Sequence, residues 1–376
     1  MFVDFLKRHR GKLVASLIIT LGLWLMLHKG GLKIVPEGGD FQHVRWWTLP
    51  AYFVSLLAFA WFRSTRWRFL LRGVADVPKK RLFWVSAIGF AAILLMPFRL
   101  GEFVRPYLIR TPVEPGSRRA GGPVARPISL TAATSTIVAE RVIDAFYLSI
   151  VLALALVFVP TVQPLPDKVV GIPVSVEYVR MSGFAMLPVF GAAFATIAVF
   201  YFARAWAHRT TFLVVGKLSR PLAEKLAGMA EKFADGLHVF GRGREALGFF
   251  IETTLYWGLN AGGMWFLAWG CGVVHADGSA PTFGEACALM GMLGCAILIP
   301  GPPGLLGVFQ AGIYAGMTMY YPIQVVVGAG AAYVFLMYAS QVVFQLVCGA
   351  LGLVAVRGGL KTLEEADAVV GAPADA

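Results

Sequence analysis

The sequence predicts an all-α fold, a polytopic transmembrane helical bundle, from its composition and from the length of its apolar runs. Hydrophobic residues make up 58% of the chain and charged residues 14%, with a mean hydropathy of +0.70. Soluble domains carry about a quarter charged residues, and the apolar runs here are much longer than the ~10-residue alternating segments of a membrane β-barrel. Because each crossing takes roughly 20 residues, the chain predicts about 6–8 crossings.

Lysine and arginine in the loops predict which helix ends face the cytoplasm. The N-terminus, the loop at 63–81 and the segment 204–244 are rich in both, so we place them inside, as we place the C-terminus. The loops at 28–47 and 160–181 mix acids with bases and are placed outside. The net charge of +12 then reflects orientation against an anionic leaflet, and nucleic-acid binding is excluded. Apolar spans lie near residues 13–28, 48–62, 82–98, 130–159, 182–203, 246–270, 284–300 and 305–356.

One membrane-embedded domain is expected over residues 1–360, followed by a disordered cytoplasmic tail at 361–376. The domain includes a basic amphipathic segment at 205–245, where apolar residues recur every three or four positions between Leu222 and Phe240. This segment either lies on the inner membrane surface or docks onto the bundle.

The apolar segment 82–98 has basic sequence on both sides, so both of its flanks are predicted to be cytoplasmic. A re-entrant hairpin that turns between Pro97 and Gly101 and returns through Arg110 resolves this conflict. Irregular backbone at membrane depth is tolerated only where protein covers it or where it lines a wet cavity. The predicted hairpin therefore implies a polar cavity.

Residues 92–103 resemble residues 296–309, at an offset of about 205 positions. In both, an apolar helix ends in proline and restarts at Leu-Gly-x-Phe. The second segment begins a region without charge, from Ala286 to Val356, and enters from outside according to the loop charges. Two broken helices in corresponding halves are typical of inverted-repeat transporters. We therefore expect two re-entrant broken-helix hairpins, either related as an inverted repeat or alike by chance.

Three charged residues surround the first break and are candidate ligands for a lipid headgroup: Arg99, Glu102 and Arg105. Charged groups at membrane depth usually pair and often mark a substrate path. The arginines would hold a phosphate bidentately while Glu102 orients one of them. The alternative is that these residues only end a helix at the interface.

A second candidate cluster consists of Glu140, Arg141 and Asp144, with Asp144 on one helical face with the other two. If the helix leaves the membrane near Val159, roughly 20 residues place Glu140 at the inner interface. The cluster then either contributes to the same site or forms an interfacial salt bridge of small value.

The third element is the Gly/Pro-rich stretch 300–307, whose unwound backbone would face a cavity or form a plain loop. Gly304 and Gly307 belong to it, and Gln310 follows as a donor to a headgroup. No nucleotide, metal-ligand or nucleophile motif is present, and the six histidines are scattered. We therefore expect no cofactor, no metal and no catalytic residue.

These three elements together resemble a flippase-like family that shares the transmembrane region of lysylphosphatidylglycerol synthases. The matching residues are Pro-Phe-Arg-Leu-Gly-Glu-Phe-Val-Arg at 97–105, Glu-Arg-Val-Ile-Asp at 140–144 and Pro-Gly-Leu-Leu-Gly-Val-Phe-Gln at 303–310. The resemblance implies a multi-pass domain of the bacterial inner (cytoplasmic) membrane. It also implies movement of aminoacylated, polyprenyl-linked or other anionic lipids between leaflets.

Two departures from the family pattern limit what the resemblance implies. The third motif usually reads Pro-Gly-Gly-Leu-Gly-x-x-Glu, whereas Leu305 replaces a glycine here and Gln310 replaces the acid. An ion-coupling role of that acid therefore does not carry over. Nothing globular follows Lys361, so lysyl transfer to a lipid is not an expected activity.

The leading hypothesis is a lipid flippase or lipid-headgroup transporter that is not an enzyme and whose partners are membrane lipids with a phosphate headgroup. One alternative is a membrane-bound enzyme that transfers a group onto a lipid, with Glu102 or Asp144 as base. Another is a non-transporting partner of a lipid-modifying enzyme. The sequence leaves the lipid, the direction of transport and the oligomeric state open.

Overall fold

The computed structural model describes residues 21–22, 25, 32–72, 75–96, 101–110, 128–169, 174–217, 219–228 in part, 243–298 and 303–356. Three sequence predictions lie outside the described residues: the first helix over most of 13–28, most of the amphipathic segment, and the disordered tail at 361–376. Arg99, at the first break, also lies outside them.

The described part of the chain is helical and contains no β-strand, which confirms the all-α prediction. Long helices alternate with short ones that lie at breaks and connections. In chain order the α-helices are α1 (Thr48–Thr65), α2 (Trp67–Leu71), α3 (Lys79–Leu95), α4 (Val104–Arg110), α5 (Leu130–Phe158), α6 (Val176–Phe202), α7 (Arg204–Val214), α8 (Gly243–Gly270), α9 (Phe283–Ala296), α10 (Val308–Met317), α11 (Ile323–Val327) and α12 (Ala329–Ala355).

Among the described residues, three helices are long and apolar enough to cross a membrane: α5, α6 and α12. Helix α6 is mainly peripheral, since only 17% of its most apolar stretch is buried by protein. An apolar helix surface of this length is stable next to lipid rather than water. The helical membrane bundle is thus confirmed, and the count of 6–8 crossings stays a prediction.

Helices α3 and α4 pack against each other as an antiparallel pair, here called the first hairpin. Gly101 lies on the backbone of Ala92 and Ile93, and farther along the return Arg105 lies on Gly89. With 17 residues, α3 extends roughly 25 Å, which is shorter than the ~30 Å hydrocarbon core. The chain therefore turns back at the break, as the loop charges predict.

Helices α9 and α10 form the second hairpin, with the same antiparallel arrangement. Gly312 of α10 packs on Leu293 and Ala296, and Gly316 packs on Leu289 one turn earlier in α9. Helix α9 has 14 residues and α10 has 10, so each extends roughly 15–21 Å. Neither helix is long enough to cross the ~30 Å core by itself.

The two hairpins enter from opposite ends of the bundle, and their breaks meet. The second hairpin opens at the end that holds the loops predicted to be external, where Val162 N–H donates to Met319 O at 2.9 Å and Arg45 N–H to Gly270 O at 2.7 Å. The first hairpin opens at the other end, which holds the loop at 63–81. The tips touch where Leu94 lies beside Gly304. The grouping of the loops agrees with the charge pattern; which end faces the cytoplasm stays a prediction.

The packing of the second half repeats that of the first. Helix α3 packs on α1, α4 and α12; its counterpart α9 packs on α8, α10 and α5. Helix α4 contacts α5, and correspondingly α10 contacts α12. Adding 205 to the residue numbers brings the starts of α3 and α4 to within one position of those of α9 and α10, and the end of α1 onto that of α8, whereas α5 and α12 differ by six to eight positions. Helices α1 and α8 pack on each other. These paired contacts are those expected of an inverted repeat.

Candidate functional site

A cluster of buried charged residues, here called the buried charge cluster, lies where α1, α2, α4, α5 and α8 meet. Arg66, at the junction of α1 and α2, is 0% exposed. Its guanidinium donates to Asp144 Oδ2 at 2.6 Å and to Thr253 Oγ1 at 2.9 Å. Tyr256 of α8 donates its hydroxyl to the other oxygen of Asp144, also at 2.6 Å. Both carboxylate oxygens of Asp144 are therefore bound by protein.

Glu140, one turn before Asp144, binds the remaining arginines of the cluster. Arg105 of α4 donates to its two oxygens at 3.2 and 3.4 Å, an approximately bidentate pair. Arg141 donates to the same carboxylate, and Arg66 lies 3.4 Å from it. Glu140 is fully buried, and an ionised group in such a place is stable only when paired and hydrogen-bonded.

Aromatic rings pack on two of the arginines of the cluster. The guanidinium carbon of Arg105 lies 4.5 Å from the centroid of Trp67, and that of Arg66 lies 4.5 Å from the centroid of Tyr256. Such contacts contribute more when the cation is desolvated. Trp67 is itself oriented by a hydrogen bond of 2.9 Å from its indole N–H to Thr136 Oγ1.

The cluster has more positive than negative charge. Its three arginines, Arg66, Arg105 and Arg141, face the two carboxylates of Glu140 and Asp144. The Nε atoms of Arg66 and Arg105 are buried and have no hydrogen-bond partner among the described residues. A buried donor without an acceptor costs about 1–3 kcal/mol. The cluster is therefore suited to an additional anionic ligand.

Arg63, one turn before Arg66, adds a further positive charge beside the cluster. Its guanidinium carbon lies 4.1 Å from the ring centroid of Phe90 and 5.5 Å from that of Phe59. Within the described residues no carboxylate pairs with it. Arg141 is the cluster arginine with the most solvent exposure, since 26% of its side chain is accessible. A ligand would reach the cluster at this residue.

A glycine in α3 explains how the first hairpin places Arg105 in the cluster. Gly89 of α3 lies directly under its side chain, and a Cβ at that position would be 2.2 Å from Arg105 Cγ. Only glycine therefore allows the arginine to pass between α3 and α5. Glu102, half-buried in the break, interacts electrostatically with Arg141.

The second break is a left-handed turn without charge. Gly304 and Gly307 have φ values of +70° and +87°, and Leu305 between them has +56°. The left-handed region favours glycine, and Leu305 is the position at which the family pattern usually has one. Gln310 is buried, and its side-chain oxygen accepts the N–H of Gly307 at 2.7 Å, which caps α10. The hydroxyl of Tyr338 donates to Gly304 O at 3.0 Å.

The start of the second break lies close to the buried charge cluster. Helix α9 runs antiparallel to α5, with Gly291 against Leu152 and Gly294 against Leu148. One further turn brings Leu298 beside Ala145, and both line the same groove. Ala145 follows Asp144 and lies one helical turn after Arg141.

The structure thus brings four predicted residues, Arg105, Glu140, Arg141 and Asp144, into one cluster, with Glu102 beside it. Gly304, Gly307 and Gln310 lie in the other break, and the described contacts of Gln310 are those of a helix cap. The contacts above add five residues in or beside the cluster that the sequence did not predict: Arg63, Arg66, Trp67, Thr253 and Tyr256.

A sequence signal for the missed residues exists. Loop charge alone makes Arg66 one of many basic residues of a cytoplasmic loop. It lies, however, within Trp61-Phe-Arg-Ser-Thr-Arg-Trp-Arg-Phe69, where aromatic and basic residues are interspersed. Three arginines among four aromatic residues indicate guanidinium groups packed on rings rather than a solvated loop. Thr253 and Tyr256 are polar positions inside an apolar span.

The fold and the cluster define the class: an all-α, membrane-embedded protein with two opposed broken-helix hairpins and a buried cationic site. Residues 12–349 match the family described as "Lysylphosphatidylglycerol synthase TM region", which covers well over half of the chain, so this protein belongs to that family. Searches of curated proteins and of solved structures gave no significant match. Family membership and the apolar helices make it a membrane protein related to lipid modification or transport.

Proposed function

We propose that the protein is a lipid flippase or lipid-headgroup transporter, which moves an anionic, aminoacylated or polyprenyl-linked lipid between the leaflets of a bacterial inner membrane. The observation that supports this proposal most is the buried charge cluster, an arginine-rich site beside the break of a hairpin that does not cross the bundle. A charge at the centre of a membrane helix costs about 2.5–3.5 kcal/mol on insertion scales, so such residues usually mark a substrate or ion path.

The chemistry of the cluster favours a phosphate headgroup. Guanidinium groups bind phosphate oxygens through paired hydrogen bonds, and the buried Nε donors of Arg66 and Arg105 have no acceptor in the part of the chain that the structure describes. The excess positive charge attracts an anion, whereas the two carboxylates keep the arginines in fixed orientations.

The opposed hairpins supply a route between the two sides. Each break interrupts a helix part-way through the bundle, and the tips meet where Leu94 contacts Gly304. In inverted-repeat transporters, the substrate site lies between such broken helices, and rocking of one repeat against the other exposes it alternately. The contact between the tips is then the gate.

The hydrogen bonds within the cluster favour a positioning role for Asp144 over the role of base that the enzyme alternative gives it. Arg66 and Tyr256 occupy both oxygens of Asp144, and three arginines surround Glu140. A general base must be within hydrogen-bond reach of its substrate proton, and these oxygens already have partners. The carboxylates therefore position arginines. A lipid species missing from a deletion strain would favour the enzyme, whereas a species in the wrong leaflet would favour the flippase.

Reconstitution into liposomes with labelled anionic lipids tests the proposal. We expect wild-type protein to accelerate exchange between leaflets and Arg141→Gln to reduce that rate by roughly tenfold or more, since a hydrogen bond to a charged group contributes about 1.5–3 kcal/mol. The matched control is Arg220→Gln, because the Arg220 side chain is 83% exposed and pairs with Glu224 rather than with a residue of the cluster. Equal rates for wild type, both variants and protein-free liposomes would refute the proposal.

A non-transporting role beside a lipid-modifying enzyme makes the opposite prediction. In that case the purified chain does not move lipid, and the enzyme co-purifies with it from native membranes. The proposed location in the inner membrane, with both termini cytoplasmic, is tested by accessibility of terminal tags to a membrane-impermeant reagent in intact cells.

A further inference from the structure

An apolar groove runs along the outside of α5, between α6 and the second hairpin. It is a shallow surface groove, and its walls come from α5, α6 and α9. Among the described residues of its wall, Ser149 alone carries a hydroxyl, and that hydroxyl donates to Phe146 O at 2.8 Å. The described lining is therefore almost entirely apolar. Cys295 of α9 and Leu298, which follows that helix, belong to it.

One end of the groove lies at the buried charge cluster. Arg141 and the groove residues Ala145, Leu148 and Leu152 follow one another at intervals of three or four, so they form a single stripe on α5. Arg141 is the partly exposed cationic residue at the head of this stripe. The stripe from Arg141 to Leu152 is roughly 16 Å long, about half of the ~30 Å hydrocarbon core and hence the depth of one leaflet.

Two glycines of α9 form the floor of the groove. A Cβ on Gly291 would lie 2.6 Å from Leu152 Cβ, and one on Gly294 would lie 2.3 Å from Leu148 Cδ2. Because these positions have no side chain, α9 approaches α5 closely and the groove stays a shallow channel. Its far wall, Met186 and Phe190, belongs to the peripheral helix α6, so its open side faces lipid.

We propose that this groove binds one hydrocarbon chain of an anionic lipid whose phosphate lies at Arg141. Charge, polarity and length each match this occupant: a cation at one end, an apolar channel below it and the depth of one leaflet. The inference rests on the proposed function and specifies which surface the lipid chain follows while its headgroup enters the cluster. Leu298, at the start of the second break, lies beside Ala145 at the Arg141 end of the groove and would then touch the same chain close to its headgroup.

Photo-crosslinking in liposomes tests this proposal. The probe is phosphatidylglycerol with a diazirine in the middle of one acyl chain, and mass spectrometry of peptides locates the crosslinks. We expect enrichment at Met186, Phe190 and Cys295 relative to the lipid-facing residues Val343 and Val347 of α12, which serve as an internal reference. The corresponding phosphatidylcholine probe, which has no net charge, should show less enrichment.

Two variants separate the headgroup contact from the groove itself. Arg141→Gln should lower groove crosslinking of the phosphatidylglycerol probe by roughly tenfold and leave the crosslinks on α12 unchanged. Ala145→Phe, which fills the groove and leaves every charge in place, should lower it to a similar extent. Crosslinking in the groove equal to that on α12, or unaffected by both variants, overturns the proposal.

The outcomes also distinguish this inference from the proposed function. Lipid exchange that depends on Arg141 without Arg141-dependent crosslinking in the groove would refute the groove alone. Arg141-dependent crosslinking without lipid exchange would refute transport and leave the groove as a lipid-binding site.

Discussion

The two hairpins have the same backbone design and opposite chemistry. In each, a short apolar helix ends at a break and the chain then runs back along it. Glycine allows the returning segment to pack closely on the first helix: Gly101 on Ala92 in the first hairpin, and Gly312 on Ala296 in the second. The first break is surrounded by arginines and carboxylates, whereas no charged residue occurs between Ala286 and Val356.

The two hairpins also hold their return helices differently. In the first, Arg105 of the return helix forms a buried ion pair with Glu140 of α5. In the second, Gln310 of the return helix caps its own N-terminus at Gly307. A repeated backbone thus supplies the architecture twice, and only one copy supplies the charged site. Both halves therefore have the same broken-helix backbone, and the first half also has the charged residues that we propose bind a headgroup.

The largest expected effect is loss of the ion pair in the first hairpin. Arg105→Ala leaves Glu140 with less compensation in a buried site and should lower the free energy of unfolding by about 3–5 kcal/mol. Thermal unfolding in detergent measures this loss. In a double-mutant cycle, Arg105→Ala with Glu140→Ala should cost less than the sum of the single changes, because neither charge is then left alone. Strict additivity would contradict the pairing.

A smaller effect is expected when a methyl group is added to the glycine contacts. Gly89→Ala brings Cβ to 2.2 Å from Arg105 Cγ, and Gly312→Ala brings it to 2.6 Å from Ala296 Cβ. Both should destabilise by about 1–3 kcal/mol through overpacking. Only Gly89→Ala displaces a cluster arginine, so only this variant should reduce lipid exchange per folded molecule. Equal loss of exchange in both would show that the hairpins contribute alike.

The smallest effect is expected from the cap of the second hairpin. Gln310→Ala removes the acceptor for the N–H of Gly307 and should destabilise by about 1 kcal/mol, within the range of helix caps. Gln324→Ala, at an exposed position of α11, is the matched control and should change stability by less than about 0.5 kcal/mol. A loss at Gln310 as large as that at Arg105 would mean that the residue has a further partner.

Much of the fold was predictable because bilayer physics acts on local sequence. The breaks follow from proline and glycine within apolar helices, and the return of the first hairpin follows from basic sequence on both sides of one apolar segment. The inverted repeat was predictable from the sequence only as one of two alternatives, since apolar sequences also resemble one another by chance. The repeated contacts of α3 and α9 distinguish a true repeat from such chance similarity.

The candidate site was predictable to a lesser extent. Arg105, Glu140, Arg141 and Asp144 were found because charges inside apolar segments are unusual. Arg66 was missed because its short connection also contains Arg63, Arg68 and Arg72, and counting them gives the orientation of a loop but not the depth of any one side chain. Arg68 and Arg72 pair with Glu252 and Glu245 nearer the end of the bundle.

The sequence by itself determined that this chain is a helical membrane protein of the family named above, where its helices break, and which loops lie at the same end. Each of these features depends on composition or on residues within a few turns of one another. Only the tertiary structure decided that Arg66 binds Asp144, 78 positions away, and that the groove beside Arg141 lies between α5, α6 and α9. Such contacts depend on which helix faces pack together. The hydrophobic effect favours burial of an apolar face, but because it is non-directional it does not select the helix against which that face packs.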